Sequence, residues 1–82
     1  MPHVVVADSN CRAVVGGLAE LDVDADSVRR LIEAIDRRFP GAGAYIDKRM
    51  AVAVDGEIHQ DAGPVALTAD SEVYLIPRIG GG

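Results

Sequence analysis

The chain predicts a single α+β roll in which one amphipathic helix covers one face of a mixed sheet of four to five strands. Three observations carry this. Apolar residues alternate with acids near the N-terminus, at the period of a strand. One later segment repeats at the period of a helix. An Asp-Gly pair then sits between two further strand-like runs, the strongest short signal for a hairpin.

His3 to Ala7 is a β-branched run that reads as a strand buried on both faces, and Asp8-Ser9-Asn10 follows with turn chemistry. After Gly16-Gly17, Ala19, Leu21 and Val23 alternate with Glu20, Asp22 and Asp24, so a second strand is expected with its apolar side on the core, paired antiparallel with the first. From Val28 the period changes: Val28, Leu31, Ile32, Ile35 and Phe39 share one helical face, and Arg29, Arg30, Glu33, Asp36 and Arg37 the other. Asp26 or Ser27 can cap this helix, Arg37-Arg38 complement the negative end of its dipole, and Pro40-Gly41 stops it. Gly41 to Arg49 reads as a connection. Met50 to Val54 and Glu57 to Gln60 are strands joined at Asp55-Gly56, and Glu72 to Ile76 is the last strand. Pro77 lacks an amide hydrogen and the terminal glycines lack side chains, so a folded domain is expected over residues 1–76 and a mobile tail over 77–82.

Eighty-two residues support one core, with a stability of roughly 4–12 kcal/mol at the usual 0.05–0.15 kcal/mol per residue. Cys11 is the only cysteine, which fits a reducing compartment; with no basic leader and no apolar run long enough for export or a membrane span, the cytoplasm is expected. Thirteen acids against eight bases give a formal charge of −5, which argues against nucleic acid and anionic membranes as partners. The bases form short pairs such as Lys48-Arg49 without interleaved aromatics, and a basic protein is the partner that fits.

No nucleophile, base and orienting acid cluster along the chain, and no phosphate loop or metal-ligand spacing occurs, so neither catalytic nor metal-binding residues are assigned. His3 and His59 read as surface or edge histidines, and Gly16-Gly17 as a turn or bulge. Cys11, in a loop beside Arg12, is either incidental or a somewhat activated thiol. The tail Pro77-Arg78-Ile79-Gly80-Gly81-Gly82 stands apart. A terminal glycine presents its carboxylate with no Cβ beside it, a shape that can thread a narrow channel.

Asp26-Ser27-Val28 opening the helix, Arg38-Phe39-Pro40-Gly41 closing it, Val52-Ala53-Val54-Asp55-Gly56-Glu57 at the hairpin, and Asp70 to Pro77 before the tail together resemble the ubiquitin-like sulfur carriers. That family includes the molybdopterin synthase small subunit and the thiamine sulfur carrier, and the resemblance covers nearly the whole chain. Its members typically end in an aromatic or aliphatic residue, one or two prolines, a β-branched residue, a small residue and Gly-Gly, matching Ile76 to Gly82 here, with Arg78 in place of a second proline and Gly80 in place of Ala or Ser. The resemblance implies a β-grasp (ubiquitin-like) fold and a carrier rather than an enzyme. It also implies a mechanism: an ATP-dependent E1-like activating enzyme adenylates the Gly82 carboxylate, and a sulfur donor displaces AMP. The resulting thiocarboxylate then delivers sulfur to molybdopterin synthase large subunit or another acceptor enzyme. Arg78, Ile79, Gly80 and Gly81 would then thread the partner's active site, and ATP would be used by the partner with no cofactor resident in the carrier.

Recognition needs a surface as well as a tail. If Val73 and Leu75 are core, alternation puts Tyr74 and Ile76 on the opposite face as an exposed apolar stripe for a partner. Molybdopterin synthesis is the pathway expected first, since the length and the Gly41 to Met50 stretch resemble the longer carriers; thiamine, cysteine or another sulfur metabolite are the alternatives. A protein modifier using the same activated glycine on target lysines is the rival of another class, and an interaction domain with an inert tail is the third reading.

Overall fold

A computed structural model describes residues 1–78. The described elements run β1 (His3–Val6), α1 (Ser9–Val14), β2 (Glu20–Asp22), α2 (Val28–Arg38), α3 (Ala42–Arg49), β3 (Met50–Val54), β4 (Glu57–His59) and β5 (Glu72–Pro77). The strands form one mixed sheet in the order β2-β1-β5-β3-β4, in which β1 and β5 are parallel and the other neighbours antiparallel. The expected antiparallel pairing of the first two strands holds, with Val4 opposite Leu21. No helix among the described residues is long and apolar enough to cross a membrane.

One face of the sheet is the core. Val4, Val6, Val73 and Leu75 alternate onto it with no exposed surface, and Val28, Leu31 and Ile35 of α2 join them in one apolar cluster. Burying a side chain of this size stabilises by roughly 1.5–3 kcal/mol, so the central strands and α2 carry much of the fold. β1 differs from its expected burial on both faces. His3 and Val5 are only half-buried, because they point to the side of the sheet that no helix covers.

Within α2, Ser27 proves to be the cap: its Oγ accepts from the Arg30 amide at 3.2 Å, while Asp26 makes an exposed ion pair with Arg30. The amides of Val28 and Arg29 donate to the carbonyls of Val65 and Gly63, so the irregular segment before β5 satisfies groups that the first helical turn leaves unpaired. The hairpin turn is as expected, with φ +49° at Asp55 and +87° at Gly56, both positive as a type I′ turn requires. Asp55 Oδ1 also accepts from the Glu72 amide at 2.9 Å, tying the hairpin tip to the start of β5.

Two helices replace stretches expected to be irregular. Asp8-Ser9-Asn10 caps and starts α1, Asp8 Oδ2 accepting from the Cys11 amide at 2.9 Å; turn-forming residues suit a first helical turn equally well. Gly16 and Gly17 then end it at φ +67° and +79°, and a Cβ on Gly16 would lie 2.9 Å from Phe39 Cε1. The Gly41 to Arg49 connection is mostly α3, entered through Gly41 at φ +97°. Asp36 Oδ1 accepts from the amides of Gly41 and Gly43 at 3.1 and 3.0 Å, capping α3 from the end of α2. A Cβ on Gly43 would crowd the Asp36 side chain, whose nearest atom would lie 3.0 Å away.

His3 clamps β1 to β2 on the open face, with Nδ1 3.0 Å from Asp22 Oδ1 and Nε2 2.7 Å from Glu20 Oε1. Hydrogen bonds to Asp22 and then Glu20 raise its pKa from the ordinary histidine value. A raised folded-state pKa adds stability that is full below the unfolded value and fades as pH rises through the folded one. Thermal melts across the histidine range are expected to show the native chain losing a small increment on the alkaline side, and His3→Gln showing no such loss. A native chain that gains stability there contradicts the clamp.

Candidate functional site at the end of the last strand

β5 is the central strand and the last described element. Pro77, expected outside regular structure, is its last residue and lies opposite Met50. The sheet tolerates proline here for a geometric reason. Successive amides in a strand point to alternate neighbours; Arg78 N donates to Arg49 O on the β3 side, and Leu75 O accepts from Ala7 N on the β1 side. The Pro77 nitrogen therefore faces the β1 side, past the end of β1 at Val6, and no ladder bond is lost. Arg78 is also held by its side chain: Nη1 donates to Gln60 Oε1 at 3.1 Å and Nη2 to Asp47 O at 3.0 Å. It bounds an open groove of about 430 Å³ together with Arg29, Met50, His59 and Asp61. Ile79, Gly80, Gly81 and Gly82 lie outside the described residues.

Beside the end of β5 lies the open face of the sheet. Val73 and Leu75 are fully buried and Tyr74 is 44% exposed, as the alternation predicts, while Ile76 is half-buried rather than exposed as the expected stripe had it. Tyr74 is opposite Val5 on β1 and Ala53 on β3, and Ala53 is opposite Ile58 on β4, which is 57% exposed. Residues that pair directly share a face, so Val5, Tyr74, Ala53 and Ile58 form an apolar band across four strands, with Ala51 and Ile76 below it. Ile58 was not singled out from sequence; a lone apolar residue in a three-residue edge strand gives no period, and only the register brings it beside Tyr74. Glu20, Asp22 and Glu72 fringe the band. Seven of the eight lysines and arginines lie on the helices, Arg12 on α1, Arg29, Arg30, Arg37 and Arg38 on α2, and Lys48 and Arg49 on α3, and the eighth, Arg78, stands at the end of β5. The open face is consequently apolar with an acidic rim.

Other candidates separate from this surface. His59 pairs with Val52 and faces the groove. Cys11 is a core residue of α1 rather than a loop thiol; burial first, and the Asp8 charge second, push its pKa up to about 11. Burial thus favours the protonated thiol, and the neighbouring Arg12 Nε donates to the Val6 carbonyl at 2.9 Å rather than to Cys11. Among the described residues no group of three or more potential ligands could hold a metal ion.

Known structures share this architecture over nearly their whole length. A chain of the Amycolatopsis orientalis BexX/CysO complex is 17% identical with a TM-score of 0.83, the match covering 100% of both chains. Mycobacterium tuberculosis CysO is 13% identical at 0.83, over 96% of this chain and 100% of its own. Small archaeal modifier protein 1 from Methanosarcina acetivorans is 18% identical at 0.77, over 99% and 95%. At these identities the likeness shows the fold, which is the β-grasp expected from sequence. No curated protein sequence matches the chain. The model of the ThiS family matches residues 10–82, from the first turn of α1 through β5 and the tail. The chain belongs to the ThiS family of ubiquitin-like sulfur carriers.

Proposed function

We propose that the Gly82 carboxylate is the working group of this carrier. In the proposed cycle one of its oxygens attacks the α-phosphorus of ATP within an E1-like activating enzyme, and pyrophosphate leaves. A sulfur nucleophile from a donor then attacks the acyl carbon, AMP leaves, and the thiocarboxylate so formed donates sulfur to an acceptor enzyme. Ile79, Gly80 and Gly81, following Arg78 at the end of β5, lead the carboxylate into the partner's active site, and the carrier supplies no catalysis of its own. The observation that carries this reading is the family match itself, which continues past the described residues to Gly82.

Tyr74 and Ile76, joined by Ile58, form the docking surface in this proposal, and the acidic rim selects a partner whose apolar patch is bordered by bases. Tyr74→Ala is expected to weaken binding to the activating enzyme about tenfold or more, the usual scale for an aromatic anchor, with the circular dichroism spectrum unchanged. Unchanged affinity would remove Tyr74 from the docking surface.

The acceptor is proposed to be molybdopterin synthase large subunit, on the resemblance to the longer carriers. The likeness to CysO structures supports cysteine synthesis as a second destination. The likeness to small archaeal modifier protein 1 keeps the modifier reading in view, although Lys48 is the only lysine here on which copies of the chain could be joined through a side chain. The product separates the two classes: a carrier exchanges one terminal oxygen for sulfur, whereas a modifier appears as ladders on other proteins.

A further inference from the structure

A helix C-terminus leaves its last carbonyls without intrahelical partners. In α3 two of these are met by one residue from the far end of the described chain. The Arg78 amide donates to the Arg49 carbonyl at 3.0 Å, and Arg78 Nη2 donates to the Asp47 carbonyl at 3.0 Å. A third bond, from Nη1 to Gln60 Oε1 at 3.1 Å, reaches the segment just past β4. The guanidinium thereby places a cation at the negative end of the α3 dipole, and its planar fork holds two acceptors at a fixed angle, which a lysine ammonium does not. Arg78 is fastened to the body of the domain on both flanks of β3, at the last described position before the tail.

We propose that Arg78 is a positioning residue whose side-chain clamp sets the origin and direction from which the chain leaves the domain, so that the terminal carboxylate reaches the activating enzyme from a fixed point. This rests on the reading of Gly82 as the adenylated group. Four residues follow Arg78 and span at most about 14 Å from it. Below the clamp the strand is weakly held, because Pro77 contributes no amide hydrogen and a single backbone bond secures Arg78. Loss of the side-chain bonds therefore lets the origin retreat toward Ile76, and two more residues raise the reach to about 21 Å. The longer tether dilutes the carboxylate about two- to threefold at its target. Lost direction adds to this, since a displacement of about 1 Å from productive geometry can cost on the order of a hundredfold.

The test is ATP–pyrophosphate exchange with the cognate activating enzyme, using the full chain and its Arg78→Ala, Arg78→Lys and Gln60→Ala variants. Backbone amide hydrogen exchange at position 78 is measured alongside. The clamp predicts that Arg78→Ala lowers kcat about tenfold with KM unchanged, because the docking face is intact and only delivery of the carboxylate suffers. Arg78→Lys should recover part of the loss, Gln60→Ala should lower kcat about two- to threefold, and the Arg78→Ala/Gln60→Ala pair should be no worse than Arg78→Ala alone. Protection of the amide at position 78 should fall in both single alanine variants. An undiminished kcat in Arg78→Ala overturns the proposal. So does a rise in KM alone, or a loss in Arg78→Ala that Gln60→Ala does not echo, since either makes Arg78 a direct contact with the enzyme. If the unaltered chain supports no exchange, the adenylation reading fails instead, and the clamp is judged by amide protection: unchanged protection in both variants overturns it.

Discussion

Removing Gly82, or adding one residue beyond it, is expected to abolish adenylation while shifting stability by no more than about 0.5 kcal/mol, as the proposed role of a tail that only delivers its carboxylate implies. The reason is distance. Adenylation needs the carboxylate itself at the α-phosphorus, and one residue of extended chain spans about 3.3–3.6 Å, several times the 1 Å displacement that can cost on the order of a hundredfold. Gly81→Val should fail as well, because a β-branched side chain stiffens and widens a segment that enters a narrow channel in the proposed cycle. Chemical denaturation beside ATP–pyrophosphate exchange checks both halves, and exchange at the native rate by the shortened chain would remove Gly82 from the reaction.

Leu75→Asp is expected to unfold the domain. Leu75 has no exposed surface and lies between Val6 of β1 and Val52 of β3, on the face that the helices cover. The substitution forfeits about 1.5–3 kcal/mol of apolar burial. It also leaves a carboxyl in the core without a partner, at a cost of several kcal/mol more, against a total stability of roughly 4–12 kcal/mol for a chain of this length. Ile76→Asp is the matched control. Its side chain is only half-buried on the opposite face, beside Ala51, so the domain should stay folded while binding to the activating enzyme weakens. Circular dichroism of the two variants decides the matter, and equal unfolding would mean that both faces of β5 are core.

The strands were legible because each rule invoked had one physical cause. Asp55-Gly56 can form its turn only with two positive φ angles, and alternation along Glu72 to Ile76 can put only one side on the core. α1 and α3 were hidden by the same residues that make them possible. Gly41 and Gly43 read as breakers, yet Gly41 supplies the left-handed entry to α3, and Gly43 leaves room for Asp36 to cap it from another helix. Six residues of α1 are too few to display a helical period, so Cys11 read as a loop residue when it is core. At the candidate site, Tyr74 and Ile76 followed from strand period alone. Val5, Ala53 and Ile58 did not, since their nearness to Tyr74 depends on register between strands far apart in sequence. Arg78 read as tail for a similar reason: its acceptors, Asp47 O and Gln60 Oε1, lie 31 and 18 residues away.

The central claim is that this domain carries sulfur on its last residue, and the intact mass of the chain after incubation with the activating enzyme, ATP and a sulfur donor tests it most directly. The account predicts one oxygen exchanged for sulfur, located at Gly82 by fragmentation and absent when ATP is withheld. An unchanged mass, sulfur found at Cys11 instead, or recovery of the chain only as conjugates on lysines of other proteins would contradict it.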